Sequence, residues 1–157
     1  MRVSVIGGST VTDAEYERAR EVGRLLGGRG HELVCGGRGG VMAAACRGIQ
    51  ETGGHAIGIL PGGRAGANEY VDTAIATRVG NARNPLVVMN GDAVIAVDGG
   101  PGTLSELGHA LDIGRPVAGL GTHRVEGGGG SDAGARIEHV DSPEAAVDYV
   151  ERTVGVD

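Results

Sequence analysis

The residues with the clearest chemical meaning lie in one glycine-rich stretch, Gly99-Gly-Pro-Gly-Thr-Leu-Ser-Glu106. Glycine has no β carbon, so the backbone at Gly99, Gly100 and Gly102 can approach a phosphate closely. If a helix begins behind these glycines, its free N–H groups and its dipole form an anion site, to which Thr103 adds a hydroxyl. The stretch therefore predicts a phosphate-binding loop.

Glu106, the last residue of this stretch, has two interpretations. Thr103 and Glu106 have the spacing of a capping box, in which both side chains only satisfy N–H groups at the start of a helix. Thr12 and Glu15 have the same spacing. The helix start predicted at Thr103, however, lies directly behind a glycine loop that ends an apolar strand, whereas Thr12 has no such loop before it. This context favours ligand binding, rather than capping alone, at Thr103 and Glu106.

Two further glycine-rich segments follow apolar runs. One is Gly7-Gly-Ser9 and the other is Gly36-Gly-Arg-Gly-Gly40, which is not the G-x-G-x-x-G fingerprint of a classical NAD enzyme. Close packing of a helix on a strand, with Val41 and Met42 in the core, explains the second segment about as well as phosphate contact does. The residues predicted to contact phosphate in the two segments are Gly7, Gly8, Ser9, Gly36, Gly37, Gly39 and Gly40.

Composition excludes several classes of function. All 14 basic residues are Arg, so a pyridoxal-phosphate enzyme and a P-loop nucleotidase, which both need a Lys, are excluded. A net charge of -6 without a basic stripe argues against a nucleic-acid polymer as partner. The five His show no paired spacing of metal ligands. We therefore expect neither a metal nor another cofactor.

Apolar runs and helical periodicity alternate along the chain. The predicted strands cover 2–6, 32–35, 56–60, 93–97, 117–120 and 137–140, with a marginal strand at 74–76. The predicted helices cover 12–26, 41–51, 81–89, 103–113 and 143–152. This order predicts an α/β fold: a doubly wound, Rossmann-like, mostly parallel sheet with helices on both faces. With 157 residues we expect a single domain, and a flexible glycine-rich loop at about 121–136.

The cysteines and the apolar runs bear on the compartment. Cys35 and Cys46 do not form a Cys-x-x-Cys motif, and no secretory segment precedes them. No apolar stretch approaches the roughly 18 residues that a membrane span requires. We therefore expect a reduced, cytoplasmic protein without a membrane partner.

Four motifs in order resemble the LONELY GUY-like Rossmann superfamily, whose members were long described as lysine decarboxylases. They are Gly36-Gly-x-x-Gly-Val-Met42, Gly58-Ile-Leu-Pro61, Arg83-Asn84 and Gly99-Gly-x-Gly-Thr-x-x-Glu106. The resemblance covers roughly residues 1 to 120 and is closest to the short branch that includes the molybdenum-cofactor carrier protein. It implies a homodimer or homotetramer that binds a small phosphorylated ligand, such as a nucleoside 5′-monophosphate, at the glycine-rich edge of the sheet.

The resemblance also implies two catalytic residues. Hydrolytic members cleave nucleoside 5′-monophosphates into free base and ribose 5-phosphate with an Arg and the motif Glu, which correspond to Arg83 and Glu106. Cleavage of an N-glycosidic bond develops oxocarbenium character on the ribose, and a nearby carboxylate stabilises that charge. Arg83 would hold the phosphate or assist the departing base.

The chain departs from the hydrolases at three places. They usually have Pro at the position of Asp98, a second carboxylate at Ser105 and a His-x-Arg-Lys pattern at Asn81-Ala-Arg-Asn84. Two functions therefore stay open: a nucleoside 5′-monophosphate phosphoribohydrolase, or a noncatalytic carrier or sensor of a nucleotide or of the molybdenum cofactor. The lysine decarboxylase activity is excluded, because the chain has no Lys to hold the cofactor of such an enzyme.

Overall fold

The computed structural model of the protein describes residues 1–125 and 136–155. Within these ranges seven parallel strands form one sheet in the order β4-β3-β2-β1-β5-β6-β7. The strands are β1 (Arg2–Gly7), β2 (Glu32–Cys35), β3 (Ala56–Leu60), β4 (Thr73–Ala76), β5 (Ala93–Val97), β6 (Val117–Leu120) and β7 (Ile137–His139). The predicted doubly wound α/β fold is confirmed, and the marginal strand is a real edge strand, β4.

The described ranges contain five helices, of which four lie between strands and the fifth follows β7. They are α1 (Asp13–Gly28), α2 (Val41–Glu51), α3 (Asn84–Met89), α4 (Pro101–Asp112) and α5 (Pro143–Val154). Thr12 and Glu15 form the expected capping box before α1. The predicted flexible loop at about 121–136 lies largely outside the described residues. Among the described helices, none has both the length and the apolar character to cross a membrane.

Two predicted helices begin elsewhere than expected. The helix predicted over 81–89 is divided into a 3-10 segment, Gly80–Arg83, and α3. Pro85 explains the division, because it has no N–H to donate to the carbonyl of Asn81 as an α-helix requires. α4 begins at Pro101, two residues before the predicted start, because proline is well tolerated in the first turn of a helix.

Helices cover both faces of the sheet. α1, α2 and α5 pack on one face, and α3 and α4 pack on the other through Val87, Val88, Leu107 and Ala110. β5 is buried along its whole length, Ala93–Val97, as expected for a parallel strand covered on both sides. The core is aliphatic, in keeping with the absence of Phe and Trp.

β1 is the strand at which the winding direction reverses. It pairs with β2 on one side, with Val3 opposite Leu33, and with β5 on the other, with Val3 opposite Ala93. The connections that leave β1 and β5 therefore diverge and open a crevice at the carboxyl ends of the strands. In open α/β sheets, ligands bind in a crevice of this kind.

Candidate functional site

A cavity of about 430 Å³ lies in this crevice. Its walls come from the loops after β1 and β2, from the start of α3 and from the first two turns of α4. The predicted site residues that line it are Gly7, Gly8, Ser9, Gly36, Arg83, Gly100, Gly102, Thr103 and Glu106. Parts of the chain far apart in sequence thus meet at one place.

The remaining four predicted residues, Gly37, Gly39, Gly40 and Gly99, are not in the cavity wall. A β carbon at Gly37 would lie 2.8 Å from Leu60 Cδ2. One at Gly40 would collide with the main chain of the β1 loop, and one at Gly99 would collide with the side chain of Thr103. These three glycines are therefore required for close packing within the fold.

The first turn of α4 presents unbonded N–H groups to the cavity. Gly100 is the N-cap and has no side chain to cap the helix. Leu104 N donates to Gly100 O at 3.1 Å, and the amides of Gly102 and Thr103 have no acceptor among the described residues. A helix N-terminus with free N–H groups and a favourable dipole binds anions. The side chain of Thr103 is nearly buried beside them.

The capping-box interpretation of Glu106 is wrong. α4 begins at Pro101 rather than Thr103, so Glu106 lies in the second turn of the helix, beyond the N–H groups that need a cap. Its side chain lines the cavity and only 9% of the residue is exposed. Within the described part of the chain, its carboxyl group has no hydrogen-bond or ion-pair partner.

Burial determines the charge of this carboxyl group. Removal from water raises the pKa of Glu106 to about 7, against the opposing effect of the positive charge on Arg83. Near neutral pH the group is therefore present in both its protonated and its ionised form. A carboxyl with this property can donate or accept a proton in a reaction.

Arg83 is 7% exposed and is held by three acceptors. Its Nε donates to Ile59 O at 2.9 Å and its Nη2 to Gly36 O at 3.3 Å, while Nη1 donates to Asn84 Oδ1. Burial lowers the pKa of Arg83, and the negative charge of Glu106 opposes that change. The guanidinium thus ties the ends of β2 and β3 to the start of α3, and two of its five N–H groups have no acceptor among the described residues.

The positions at which the chain departs from the hydrolases have neutral or distant side chains. Asn84 Nδ2 donates to Ser105 Oγ at 3.4 Å, so an amide and a hydroxyl occupy the place of a second carboxylate. Asp98 does not line the cavity, and its carboxylate lies 3.4 Å from Arg18 Nη2 on α1. Burial raises the pKa of Asp98, and Arg18 opposes this change.

Sequence reasoning missed several residues of the cavity wall. Arg38, Met42, Pro61, Asn81 and Asn84 line the cavity but were not predicted as site residues. All five lie in or next to the motifs after β2, after β3 and before α3. The signal that could have found them is position, because the carboxyl ends of parallel strands share one edge of the sheet.

Comparison with known proteins identifies related chains. The model of the SLOG cluster4 family matches residues 1–147. An uncharacterized protein of Archaeoglobus fulgidus is 40% identical over 149 residues, which cover 95% of this chain and 93% of that protein. Nearly the whole chain is therefore shared with these relatives.

Two further relatives have descriptive names. A cytokinin riboside 5′-monophosphate phosphoribohydrolase of Mycobacterium tuberculosis is 36% identical over 126 residues, covering 77% of this chain and 65% of the enzyme. The chain thus spans less than two thirds of that enzyme. The structure of the molybdenum cofactor binding protein of Rippkaea orientalis superimposes with a TM-score of 0.86 at 32% identity, covering 98% of this chain and 96% of that one.

Proposed function

The chain belongs to the SLOG cluster4 family of the LONELY GUY-like Rossmann superfamily, and from this membership and the cavity we propose that it binds a nucleoside 5′-monophosphate or a phosphorylated cofactor of similar size. A cavity of about 430 Å³ falls within the range of roughly 300 to 1,000 Å³ that is usual for small-molecule sites. The glycine-rich edge of the sheet supplies most of the backbone groups of this site.

The observation that carries the proposal is the start of α4. The amides of Gly102 and Thr103, which have no acceptor in the described part of the chain, lie at the cavity. β carbons at Gly100 and Gly102 would meet no described atom within 4 Å outside the adjacent backbone. Space beside bare backbone N–H groups suits a phosphate, whose charge the helix dipole stabilises. The rest of the ligand would then extend toward Glu106 and the loop after β2.

Of the two family activities, binding without turnover is the one that the site supports best. Glu106 is the single acidic side chain in the cavity wall among the described residues. Ser105, where the hydrolases usually have a second carboxylate, instead accepts a hydrogen bond from Asn84. The chain also matches the molybdenum cofactor binding protein over almost the full length of both proteins. We therefore favour a carrier or sensor.

Hydrolysis of the N-glycosidic bond is the second candidate, and the state of Glu106 favours it. The carboxyl group has no partner in the described chain, and its pKa is raised to about 7. Protonated, it could donate to the departing base; ionised, it could stabilise positive charge on the ribose. Arg83 would act chiefly by fixing the cavity wall, since three acceptors already hold its guanidinium.

One experiment tests binding and turnover separately. A thermal-shift screen compares nucleosides with their 5′-monophosphates, because a ligand that binds the folded state raises its stability. We expect the phosphorylated members to raise the Tm and the nucleosides to leave it unchanged. If no phosphorylated ligand raises the Tm, the proposed function is contradicted.

The same ligands are then incubated with the protein, and free base is quantified by chromatography. The carrier proposal predicts no release of base by the wild-type protein. Release that Glu106→Gln abolishes and Glu21→Gln, an exposed control on α1, preserves would establish the hydrolase instead. Release that both variants preserve would indicate a contaminating activity and leave the carrier proposal standing.

We also propose that the protein forms a homodimer or homotetramer through α3 and α4. These helices carry the exposed apolar side chains Leu86, Met89 and Leu104, and Ile113 follows directly after α4. Met89 is 52% and Leu104 46% exposed. Apolar side chains grouped on one face mark interaction surfaces. Light scattering is expected to show an oligomer, and Met89→Glu to shift it toward the monomer.

A further inference from the structure

Three arginines, Arg38, Arg64 and Arg78, surround one tight turn at the edge of the cavity; we call them the arginine rim. Arg64 begins the 3-10 turn that follows β3. Arg38 Nη1 and Arg78 Nη2 each lie 3.6 Å from the positions that β carbons would take at Gly66 and Gly63 respectively. Gly66 N donates to Gly63 O at 3.2 Å, so both guanidinium groups flank the same turn.

The charges of the arginine rim are not neutralised by the described chain. No described carboxylate lies within 4.0 Å of these three guanidinium groups, whereas Arg20 and Arg24 on α1 share Glu51 at 2.8 and 3.2 Å. In a chain with a net charge of -6, three arginines without an ion-pair partner among the described residues create a local positive field at the cavity edge. Such a field attracts anionic ligands and repels cationic ones.

Arg38 is the member of the arginine rim that lines the cavity. Asn68 Nδ2 donates to the carbonyl of Arg38 at 2.9 Å, which fixes the main chain at this point. The guanidinium of Arg38 makes no hydrogen bond with the described residues. The other arginine in the cavity wall, Arg83, is nearly buried and held by three acceptors. Arg38 is therefore the available cation.

The sheet order gives the distance between Arg38 and the phosphate site. Arg38 follows β2 and α4 follows β5, and β1 is the one strand between them. Two strand spacings separate the loops, which is roughly 10 Å. A ligand whose phosphate lies at α4 thus reaches Arg38 only with its opposite end. A negative group at that end would face an unpaired guanidinium.

This inference rests on the proposed nucleotide site. We propose that Arg38, within the field of Arg64 and Arg78, selects ligands that carry a second negative charge at the end remote from the phosphate. The class of ligand is a nucleoside 5′-monophosphate whose base bears a carboxylate. A carboxylate matches the planar fork of a guanidinium, which can bind both oxygens.

Two matched pairs of probes test this specificity by calorimetry. Nicotinic acid mononucleotide differs from nicotinamide mononucleotide by a carboxylate in place of a carboxamide, and 5-carboxyuridine 5′-monophosphate differs from uridine 5′-monophosphate by a carboxylate on the base edge away from the glycosidic bond. We expect the wild-type protein to bind the carboxylated member of each pair roughly tenfold more tightly at low salt. The preference should shrink at high salt, because Arg38 is exposed.

Variants assign the preference to a residue. Arg38→Gln should remove it without changing the Tm, and Arg38→Lys, which retains the charge, should keep part of it. Arg152→Gln, the same change on α5 far from the cavity, should leave it intact. A preference that survives in Arg38→Gln would overturn the role of Arg38.

Failure of the inference differs from failure of the nucleotide site. If both members of each pair bind equally well to the wild-type protein, the second charge has no site and the inference is wrong, while the nucleotide site stands. If none of the four nucleotides binds, the proposed function fails together with the inference.

Discussion

The loops after β2 and β5 both lead from a buried parallel strand into a helix, and both contain several glycines. In the loop at 36–40, glycine hydrogens face packed atoms: a β carbon at Gly37 would lie 2.8 Å from a Leu60 methyl, and Gly40 abuts the β1 loop. In the segment at 99–102, which runs into the first turn of α4, the positions of β carbons at Gly100 and Gly102 are empty.

The difference separates two uses of the same residue type. The first loop lets a helix approach a sheet closely, and substitution there should act on stability. The second leaves its N–H groups bare beside a cavity, and substitution there should act on ligand binding. Even so, Gly99 of the second segment packs against Thr103 and is therefore, like Gly37 and Gly40, a glycine required for close packing. The role of a glycine thus depends on its own surroundings and not on the segment that contains it.

The largest expected effect is on stability, at Gly40. Its backbone has φ 62° and ψ -127°, a conformation that is essentially restricted to glycine, and a β carbon there would collide with the β1 loop. Strain and overpacking together predict that Gly40→Ala lowers the free energy of unfolding by about 4 kcal/mol. Urea denaturation measures this. Gly100→Ala at the start of α4 is the control, and it should lower the free energy of unfolding by less than about 1 kcal/mol. Equal losses in the two variants would mean that the two glycines do not differ in their role.

The next effect is a pH dependence at Glu106. Burial raises the pKa of Glu106 from 4.5 to about 7, so the folded protein keeps a proton that the unfolded chain releases. The associated stabilisation is complete below pH 4.5 and is lost as the pH rises through 7. Relative to Glu106→Gln, the wild-type protein should lose about 2 to 3 kcal/mol of unfolding free energy between pH 5 and pH 8.

Urea denaturation of both proteins at the two pH values measures this loss. The matched control is Glu51→Gln, since hydrogen bonding to Arg20, aided by Arg24, lowers the pKa of Glu51 against the effect of burial. Its titration therefore lies below the pH window used. A constant difference between wild type and Glu106→Gln would mean that Glu106 is hydrated and ionised throughout.

A smaller effect is expected at Gly102, where a substitution should weaken ligand binding without lowering stability. This residue lies in the first turn of α4 with open space around it. Gly102→Ala should leave the protein as stable or stabilise it by up to about 1 kcal/mol, because alanine favours the helix. It should weaken nucleotide binding roughly tenfold, because a methyl group enters the phosphate site. Calorimetric titration of both proteins with a nucleoside 5′-monophosphate that the wild type binds measures this loss of affinity.

Gly108 provides the matched control for Gly102. It lies later in α4, and a β carbon there would also meet no atom within 4 Å, but it does not line the cavity. Gly108→Ala should stabilise the helix by a similar amount without changing affinity. Loss of binding in both variants would indicate an effect of α4 as a whole.

The smallest effect is expected at Gly39, which is neither closely packed nor part of the cavity wall. A β carbon there would lie 3.6 Å from Ser9 O, an ordinary contact, and the residue does not line the cavity. Gly39→Ala should change the unfolding free energy by less than about 0.5 kcal/mol and leave affinity unchanged. A clear loss of affinity would show that the phosphate site extends into the loop after β2.

The sequence was sufficient to predict the order of elements and the doubly wound sheet. Apolar runs such as 2–6 and 32–35 end at glycines, and the capping box before α1 is purely local, so these features need no tertiary information. The start of α4 was predicted too late because Pro101 can either precede a helix or form its first residue. Helix boundaries of this kind depend on hydrogen bonds that the sequence does not contain.

The candidate site was predictable in outline but not in the state of its side chains. Arg83 donates to acceptors 24 and 47 residues away in sequence, and no local pattern reveals such partners. The depth of Glu106 follows from packing around α4, and with it the shift of its pKa. Arg38 appeared in the sequence only as a residue between glycines, yet the fold places it in the cavity wall.

A crystal structure with a bound nucleoside 5′-monophosphate would show directly whether α4 receives the phosphate. We expect phosphate oxygens about 3 Å from the amides of Gly102 and Thr103, with the base directed toward Arg38. A phosphate bound at the arginine rim, or anywhere outside the cavity, would contradict it.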